Sequence, residues 1–558
     1  MRSQTQFMKE GNYMKTWKKV TLGTVALGSA ALLAACGNSG SSSSSSSKDI
    51  QWNLTSPIQT LDSSLAKDTY SNIIIGNTNA GLTRVDKDGK AQPELAKSVD
   101  VSKDGLTYTF HLRDGLKWSN GDALTAKDFV YSWQRAVDPA TASEYGYLLG
   151  PVKNANEING GKADKSTLGV KATDDKTFVV TLAQPTPYFE FLTANSVYYP
   201  LNQKVVEKYG KQYGTSSEKM VYSGPYKFEK SKGWNGSNQT FSIVKNDDYW
   251  DKSAVKTKEI DFQVVQDPKT SFNLYKQGKI VQASIGDPDL FKANKNNKDV
   301  VSLDEATTAY IQYNQSGKNK ALANKNIREA FNLATDRQQY VDTVTPASNP
   351  ATGLTPAGMA KTNTGEDFAK YAAQPYKYDA TAAKAAWAKG LSEIGETKLT
   401  LTLTTDDTSA SKDSATFLKQ AWEKQLPGLT LNIKSVPFKQ RLNDSTTGNF
   451  DMVISLWGGD YAEPSTFLDL FVKDGPNNNG KINNVTYDKA IKAAEVTDAL
   501  DPEKHYADYK AAEESLYTES NLNPLYFRTT PVLRNPNLKD VRFGSTGLMY
   551  DFKTAYLK

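Results

Sequence analysis

The chain has 558 residues, with 67 Lys and Arg against 62 Asp and Glu, a formal net charge of +5. Arg2, Lys9, Lys15, Lys18 and Lys19 against Glu10 place +4 of that charge ahead of residue 36, so the rest is close to neutral and argues for neither nucleic acid nor an acidic surface as partner. A single cysteine, Cys36, excludes an intramolecular disulfide, and only two histidines, His111 and His505, give poor support to a catalytic triad or a histidine-based metal site.

The amino-terminal segment has the layout of an export signal, with Lys15, Lys18 and Lys19 before a mostly apolar run from Val20 to Ala35 that ends in small residues. At helical rise those residues reach only about 24 Å, short of the roughly 30 Å hydrocarbon core, which disfavours a permanent span. The string Leu33-Ala34-Ala35-Cys36-Gly37 resembles the bacterial lipobox. That resemblance implies removal of residues 1–35, with Cys36 left as a diacylated first residue. Two acyl chains suffice for stable anchoring where one is marginal. Residues 36–48 carry an unbroken serine tract, Ser41 to Ser47, and read as a flexible tether of about 20 Å mean reach. About 510 residues remain, enough for three or more lobes, and no later stretch approaches the 18 consecutive apolar residues of a membrane span.

In chain order, Leu106, Tyr108, Phe110 and Leu112 alternate as on a half-buried strand, with His111 on the solvated face. Ser119-Asn120-Gly121 predicts a turn, and Thr125 with Asp128 predicts a capping box that opens a helix carrying Phe129, Val130 and Trp133. Phe178, Val180 and Leu182 predict a further strand within Lys176 to Ala183. Farther on, Leu399, Leu401 and Leu403 alternate, Phe417, Leu418, Ala421, Trp422 and Leu426 recur at helical spacing up to Pro427-Gly428, and Leu429, Leu431 and Ile433 alternate again. This predicts a βαβ unit, extended by a short helix from Phe438 and a strand over 450–456 into a mostly parallel open sheet. Ligands of such sheets sit beyond the carboxyl ends of strands, so the next segment is the candidate site.

That segment is Leu456-Trp457-Gly458-Gly459-Asp460-Tyr461-Ala462-Glu463-Pro464. Two glycines let a backbone come close, the indole offers a flat apolar wall and Asp460 an anionic acceptor, a combination suited to a ligand with an ammonium group and an extended backbone. From the residues alone, Asp460 and Pro464 could equally arrange a turn into a helix over Ser465 to Phe471. The 29 Tyr, 21 Phe and 9 Trp would serve both a core and a cleft that grips a ligand by apolar and polar contacts together.

Residues 49–558 resemble the extracytoplasmic oligopeptide-binding proteins of ATP-driven importers. The strings that carry the likeness include Gly81-Leu-Thr-Arg84, Pro93-Glu-Leu-Ala96, Tyr108 to Arg113, Lys117 to Gly121, Thr125 to Arg135, Asp138 to Ser143, Ser223-Gly-Pro-Tyr226, Asn246 to Trp250 and Arg328-Glu-Ala-Phe331. The resemblance implies an α/β, two-lobed periplasmic-binding-protein-like fold of class II, with an extra domain and mixed sheets flanked by helices. It divides the chain into a discontinuous domain I (49–80, 205–307 and 527–558), a domain II (81–204) and a domain III (308–526). By the same resemblance Asp460 pairs with a peptide's terminal ammonium beside Trp457, Tyr145 borders the cleft, Phe438 supplies an aromatic wall, and Gly458, Gly459 and Tyr461 complete the peptide-binding set. Cationic positions that cap a short peptide's carboxylate in enteric relatives fall on Ile454 and near Thr408, and an acidic position at the cleft mouth falls on Lys67. These departures predict a ligand range reaching beyond five residues.

The implied partners are oligopeptides, the permease subunits of an ABC transporter with their cytoplasmic ATPases, and the membrane through Cys36. A monomer without cofactor, metal or nucleic acid is implied, lipid-anchored on the extracytoplasmic face of the cell membrane. A peptide-signal receptor is the runner-up, and an adhesin or chaperone is weaker. Gly475-Pro-Asn-Asn-Asn-Gly-Lys481 mimics P-loop spacing, but Ile482 stands where Ser or Thr is required, so it reads as an asparagine-rich surface loop. No Gly-x-Ser-x-Gly or His-Glu-x-x-His string occurs, and the chain does not read as an enzyme.

Overall fold

The computed structural model describes residues 49–87 and 89–558; Cys36, the apolar run and the serine tract lie outside the described residues. The first lobe contains two four-stranded sheets. In one, Ile50–Leu54 pairs in parallel with Glu259–Val264, which continues antiparallel through Thr240–Lys245 to Tyr226–Phe228. Alternate residues Ile50, Trp52 and Leu54 are buried, and the Trp52 ring meets those of Tyr550 and Phe552 edge-on, each at 4.8 Å. The carboxyl-terminal segment therefore returns to complete the core begun by the first strand.

The second sheet is antiparallel throughout, in the order Ala96–Val101, Thr107–Leu112, Thr177–Thr181, Val170–Ala172. The strand predicted over 106–112 forms with Tyr108, Phe110 and Leu112 inward. His111 keeps its half-exposed place, but its Nε2 faces the Asp100 carboxylate at 2.8 Å and so is not simply solvated. The capping box forms as read and starts the helix Ala126–Val137, whose Trp133 stands edge-on to Phe178 and Tyr198 at 4.9 Å.

The second lobe is built on a seven-stranded sheet. Its order is Gln282–Ser284, Leu522–Arg534, Val300–Tyr313, Met452–Gly458, Leu399–Asp406, Leu429–Val436, with Asn349–Pro350 paired at the side of Leu522–Arg534. The predicted βαβ unit is there, Leu399–Asp406 lying parallel to both Leu429–Val436 and Met452–Gly458. Its helix runs over Ser409–Gln425, starting earlier than the apolar spacing indicates because Thr408 caps a polar first turn. The expectation of a mostly parallel sheet is corrected: the other pairings are antiparallel. Leu399–Asp406, Leu429–Val436 and Met452–Gly458 follow one another with a single helix between each, the crossover that brings a strand back parallel to its neighbour.

Two long strands, Val300–Tyr313 and Leu522–Arg534, join the lobes. Their outer halves pair Val300–Asp304 with Thr529–Leu533 and contribute Leu303 and Val532 to the first lobe's core, while Ala309, Ile311 and Leu525 belong to the second lobe's. The register slips between Asp304 and Thr308. Bulges of this kind bend and twist a strand, and this one falls where the lobes face each other.

Much of the motif content noted above proves structural. Arg84 donates from Nε and Nη2 to the Asp551 carboxylate at 2.7 and 2.6 Å, and Glu94 accepts from the Tyr249 hydroxyl and lies 3.4 Å from Lys553 Nζ. Arg113 lies over the Trp250 ring at 3.6 Å, and Arg328 donates to four backbone carbonyls including those of Glu519 and Ser520.

A cleft organised by Asp460

The strand Met452–Gly458 carries the segment singled out in the sequence to the boundary between the lobes. Just past its end, the Gly459 N–H donates to the Ala306 carbonyl at 2.7 Å, inside the stretch where the neighbouring strand slips register. The Asp460 N–H donates to Thr466 Oγ1 at 3.0 Å, and the Trp457 indole N–H donates to the Thr466 carbonyl at 2.8 Å. Thr466 thus fixes both the main chain of Asp460 and the tilt of the indole. A Cβ on Gly459 would stand 2.9 Å from Met359 Sδ and 3.0 Å from Phe467 Cε2, so close packing explains that glycine, although both glycines also line the cleft.

The Asp460 side chain reaches across to the first lobe, where Oδ2 accepts from the Tyr147 hydroxyl at 2.7 Å. Burial raises the Asp460 carboxyl pKa, and the tyrosine hydrogen bond partly opposes the rise. Burial, then the nearby Asp460 charge, push the Tyr145 hydroxyl up to about 12 and the Tyr147 hydroxyl higher still, so both remain protonated donors. Among the described residues no Lys, Arg or His pairs with Asp460.

Asp460 stands in the walls of three adjoining cavities. One, of about 230 Å³, is also lined by Lys67, Tyr145, Glu305 and Arg528. Its cations already have partners: Lys67 meets Glu144, and Arg528 Nε donates to Glu305 at 2.7 Å. The second, of about 480 Å³, is walled by Tyr147, Tyr188, Trp457 and Tyr461. The Tyr188 and Tyr461 rings are stacked at 5.1 Å, one from each side of the cleft.

Asp460, Trp457, Gly458, Gly459, Tyr461 and Tyr145 therefore come together. Phe438 does not line these cavities; it opens the helix Phe438–Thr446, 58 % exposed, with the Arg441 guanidinium 5.0 Å from its ring. Ile454 is buried in the second lobe's core, and Thr408 caps a helix. Sequence reasoning passed over Tyr147, Tyr188 and Thr466. The pattern Tyr145-Gly146-Tyr147 offered a signal for the first; nothing local marks the others. The loop read as a plain surface feature is corrected in part: Asn478 is buried and bonded to Val472 and Ile482, and Pro476 and Asn477 line the second cavity. Among the described residues no group of three or more His, Cys, Asp and Glu is placed to hold a metal ion, and no helix is long and apolar enough to cross a membrane.

The family model described as bacterial extracellular solute-binding proteins, family 5, matches residues 90–479. The chain belongs to this family. It is 55 % identical over 554 residues to the dipeptide-binding protein of Lactococcus lactis subsp. cremoris, covering 98 % of this chain and all of that protein. Identity to the oligopeptide-binding protein OppA of Bacillus subtilis is 33 %, over 98 % of this chain and all of that protein. Among solved structures, Listeria monocytogenes OppA bound to peptide superimposes with a TM-score of 0.75 at 39 % identity, over 92 % of this chain and all of that one. The pheromone receptor PrgZ does so with a TM-score of 0.75 at 33 % identity, again over 92 % of this chain and all of that one. As a family 5 solute-binding protein the chain has the two-lobed fold expected, and the family is extracytoplasmic.

Proposed function

We propose that this solute-binding protein captures oligopeptides between its lobes and delivers them to the permease subunits of an ABC importer. The observation that carries the reading is Asp460, a half-buried carboxylate in the cleft wall with a tyrosine donor and no cationic partner among the described residues. A peptide's terminal ammonium supplies the missing charge. Trp457, Tyr145 and Tyr461 then form the walls around the first residues, and the strand ends that line the cleft at Ala306, Thr307, Gly458 and Gly459 bring main chain alongside the peptide backbone. Closure of the lobes about the two long strands would complete the enclosure. The names of the Lactococcus, Bacillus and Listeria proteins support peptide as the ligand class.

The finer parts of the reading are anchoring through a diacylated Cys36, a monomeric body, and domain boundaries near residues 81, 205, 308 and 527. The likeness to PrgZ favours a second reading in which the captured peptide is a signal. Calorimetry with a free tetrapeptide and its N-acetylated form tests the assignment: the free peptide should bind far more tightly, and equal affinities would refute it. Peptide uptake by cells lacking the protein separates import from signalling, since import requires that uptake fall.

A further inference from the structure

The second cavity carries charge beyond what recognition of a terminal ammonium uses. Besides Asp460, two further carboxylates stand in its wall, those of Asp469 and Glu495, and among the described residues that line it there is no Lys, Arg or His. Asp469 begins the 3-10 turn Asp469–Phe471, and Glu495 sits in the π-helical turn Ala493–Thr497, a rare conformation that often marks a functional site. The two carboxyl groups are close enough for each to act on the other's charge, and Asp469 Oδ1 is buried without a hydrogen-bond partner. Burial, reinforced by the charge of its neighbour, raises the Asp469 pKa, and burial raises that of Glu495, the direction expected of carboxyl groups that a cation in the cavity would favour in their charged form. His505, next to Glu495 in the fold, is already engaged: its Nε2 faces Glu463 at 2.8 Å and its Nδ1 faces the Ala494 carbonyl at 2.8 Å. The stacked Tyr188 and Tyr461 rings add a face against which a guanidinium or ammonium can lie.

We propose that this cavity is a subsite for the basic side chain, Lys or Arg, of a residue near the amino end of the bound peptide. The inference rests on the reading of Asp460 as the acceptor of the terminal ammonium, which places the first residues beside the cavity that Asp460 also lines. A cation entering there meets the partly desolvated Asp469 and Glu495 side chains in the cavity wall, neither of which has a salt-bridge partner among the described residues. A neutral side chain forgoes that charge interaction, so such peptides still bind, only less tightly. The cavity thus sets a preference and not a requirement.

The test compares alanine tetrapeptides carrying lysine, arginine or norleucine at the first, second or third position, by calorimetry on the whole protein. At one of these positions the basic peptide should bind about tenfold or more tightly than the norleucine peptide. In the Asp469→Asn/Glu495→Gln double variant that gap should collapse to about twofold or less, with norleucine-peptide affinity unchanged. Should the double variant not fold, Glu495→Gln alone decides. Equal binding of basic and norleucine peptides at every position in the parent overturns the proposal, as does a gap that survives in the variant. N-acetylating the norleucine peptide separates the two readings: a large penalty without any preference for a basic residue sinks the subsite alone, whereas no penalty sinks the assignment of Asp460 as well.

Discussion

Replacing Asp460 by Asn removes one charge while keeping size and an oxygen that can still accept from Tyr147, whose hydroxyl lies 2.7 Å from the carboxylate. The main chain is held separately by the 3.0 Å bond to Thr466, so the site's shape should survive. An ammonium about 4 Å from the carboxylate at an effective dielectric near 20 gains about 4 kcal/mol by Coulomb's law. Measured losses on truncating one partner of a buried charged pair span roughly 2 to 5 kcal/mol. Affinity for a free tetrapeptide should therefore fall by about thirtyfold to a few thousandfold. The N-acetylated peptide has no ammonium, so the variant should bind it at least as well as the parent. Titration calorimetry with both peptides on both proteins reads the full cycle. If Asp460→Asn keeps the parent's preference for the free amino terminus, the charge argument is wrong and another group holds the ammonium.

The same carboxylate makes binding depend on pH. Because burial raises the Asp460 pKa, protons should compete with the ammonium from above the usual carboxylate range, so the advantage of free over acetylated peptide should fade as pH falls, earlier than for an exposed Asp. Thr466→Val removes the acceptor of the Asp460 N–H and should cost about 1 to 3 kcal/mol in denaturant unfolding, with weaker binding of free peptide. Gly459→Ala forces a Cβ within 2.9 Å of Met359 Sδ and should destabilise by about 1 to 3 kcal/mol, unless the methionine moves aside, which a crystal structure of the variant would show. Asp551→Ala strands the buried Arg84 guanidinium and should cost about 3 to 5 kcal/mol. Burial alone would raise the Asp551 pKa, but the charge and hydrogen bonds of Arg84, then the charge of Arg542, hold it well below the usual range. Its stabilising contribution is therefore complete above the ordinary carboxylate pKa and lost as pH falls towards the depressed folded value, so acid unfolding of the parent should steepen there and that of the variant should not.

Elements whose apolar residues keep a steady period were legible in advance. The strand Thr107–Leu112, the helix opened by Thr125 and Asp128, and the βαβ unit all form where alternation or helical spacing placed them. The direction of the sheet was misjudged, since the antiparallel neighbours Val300–Tyr313 and Leu522–Arg534 come from distant parts of the chain and leave no trace in the local pattern of residues 398–456. Phe438 shows the converse limit: it occupies the position the family resemblance indicates, yet the helix it opens turns it to solvent.

By itself the amino-acid sequence determined which periodic segments form strands or helices, set one cysteine behind an export-like run, and placed Asp460 between a glycine pair and a helix. These are short-range properties, decided by side-chain period and turn chemistry over a few residues. Only the tertiary structure decided that Tyr147 meets Asp460 across 313 positions, that Arg84 and Asp551 close on each other across 467, and that Asp469 and Glu495 share a wall with the aromatic pair Tyr188 and Tyr461. Such meetings depend on where the long strands carry each lobe, and no local pattern records the partner at the other end.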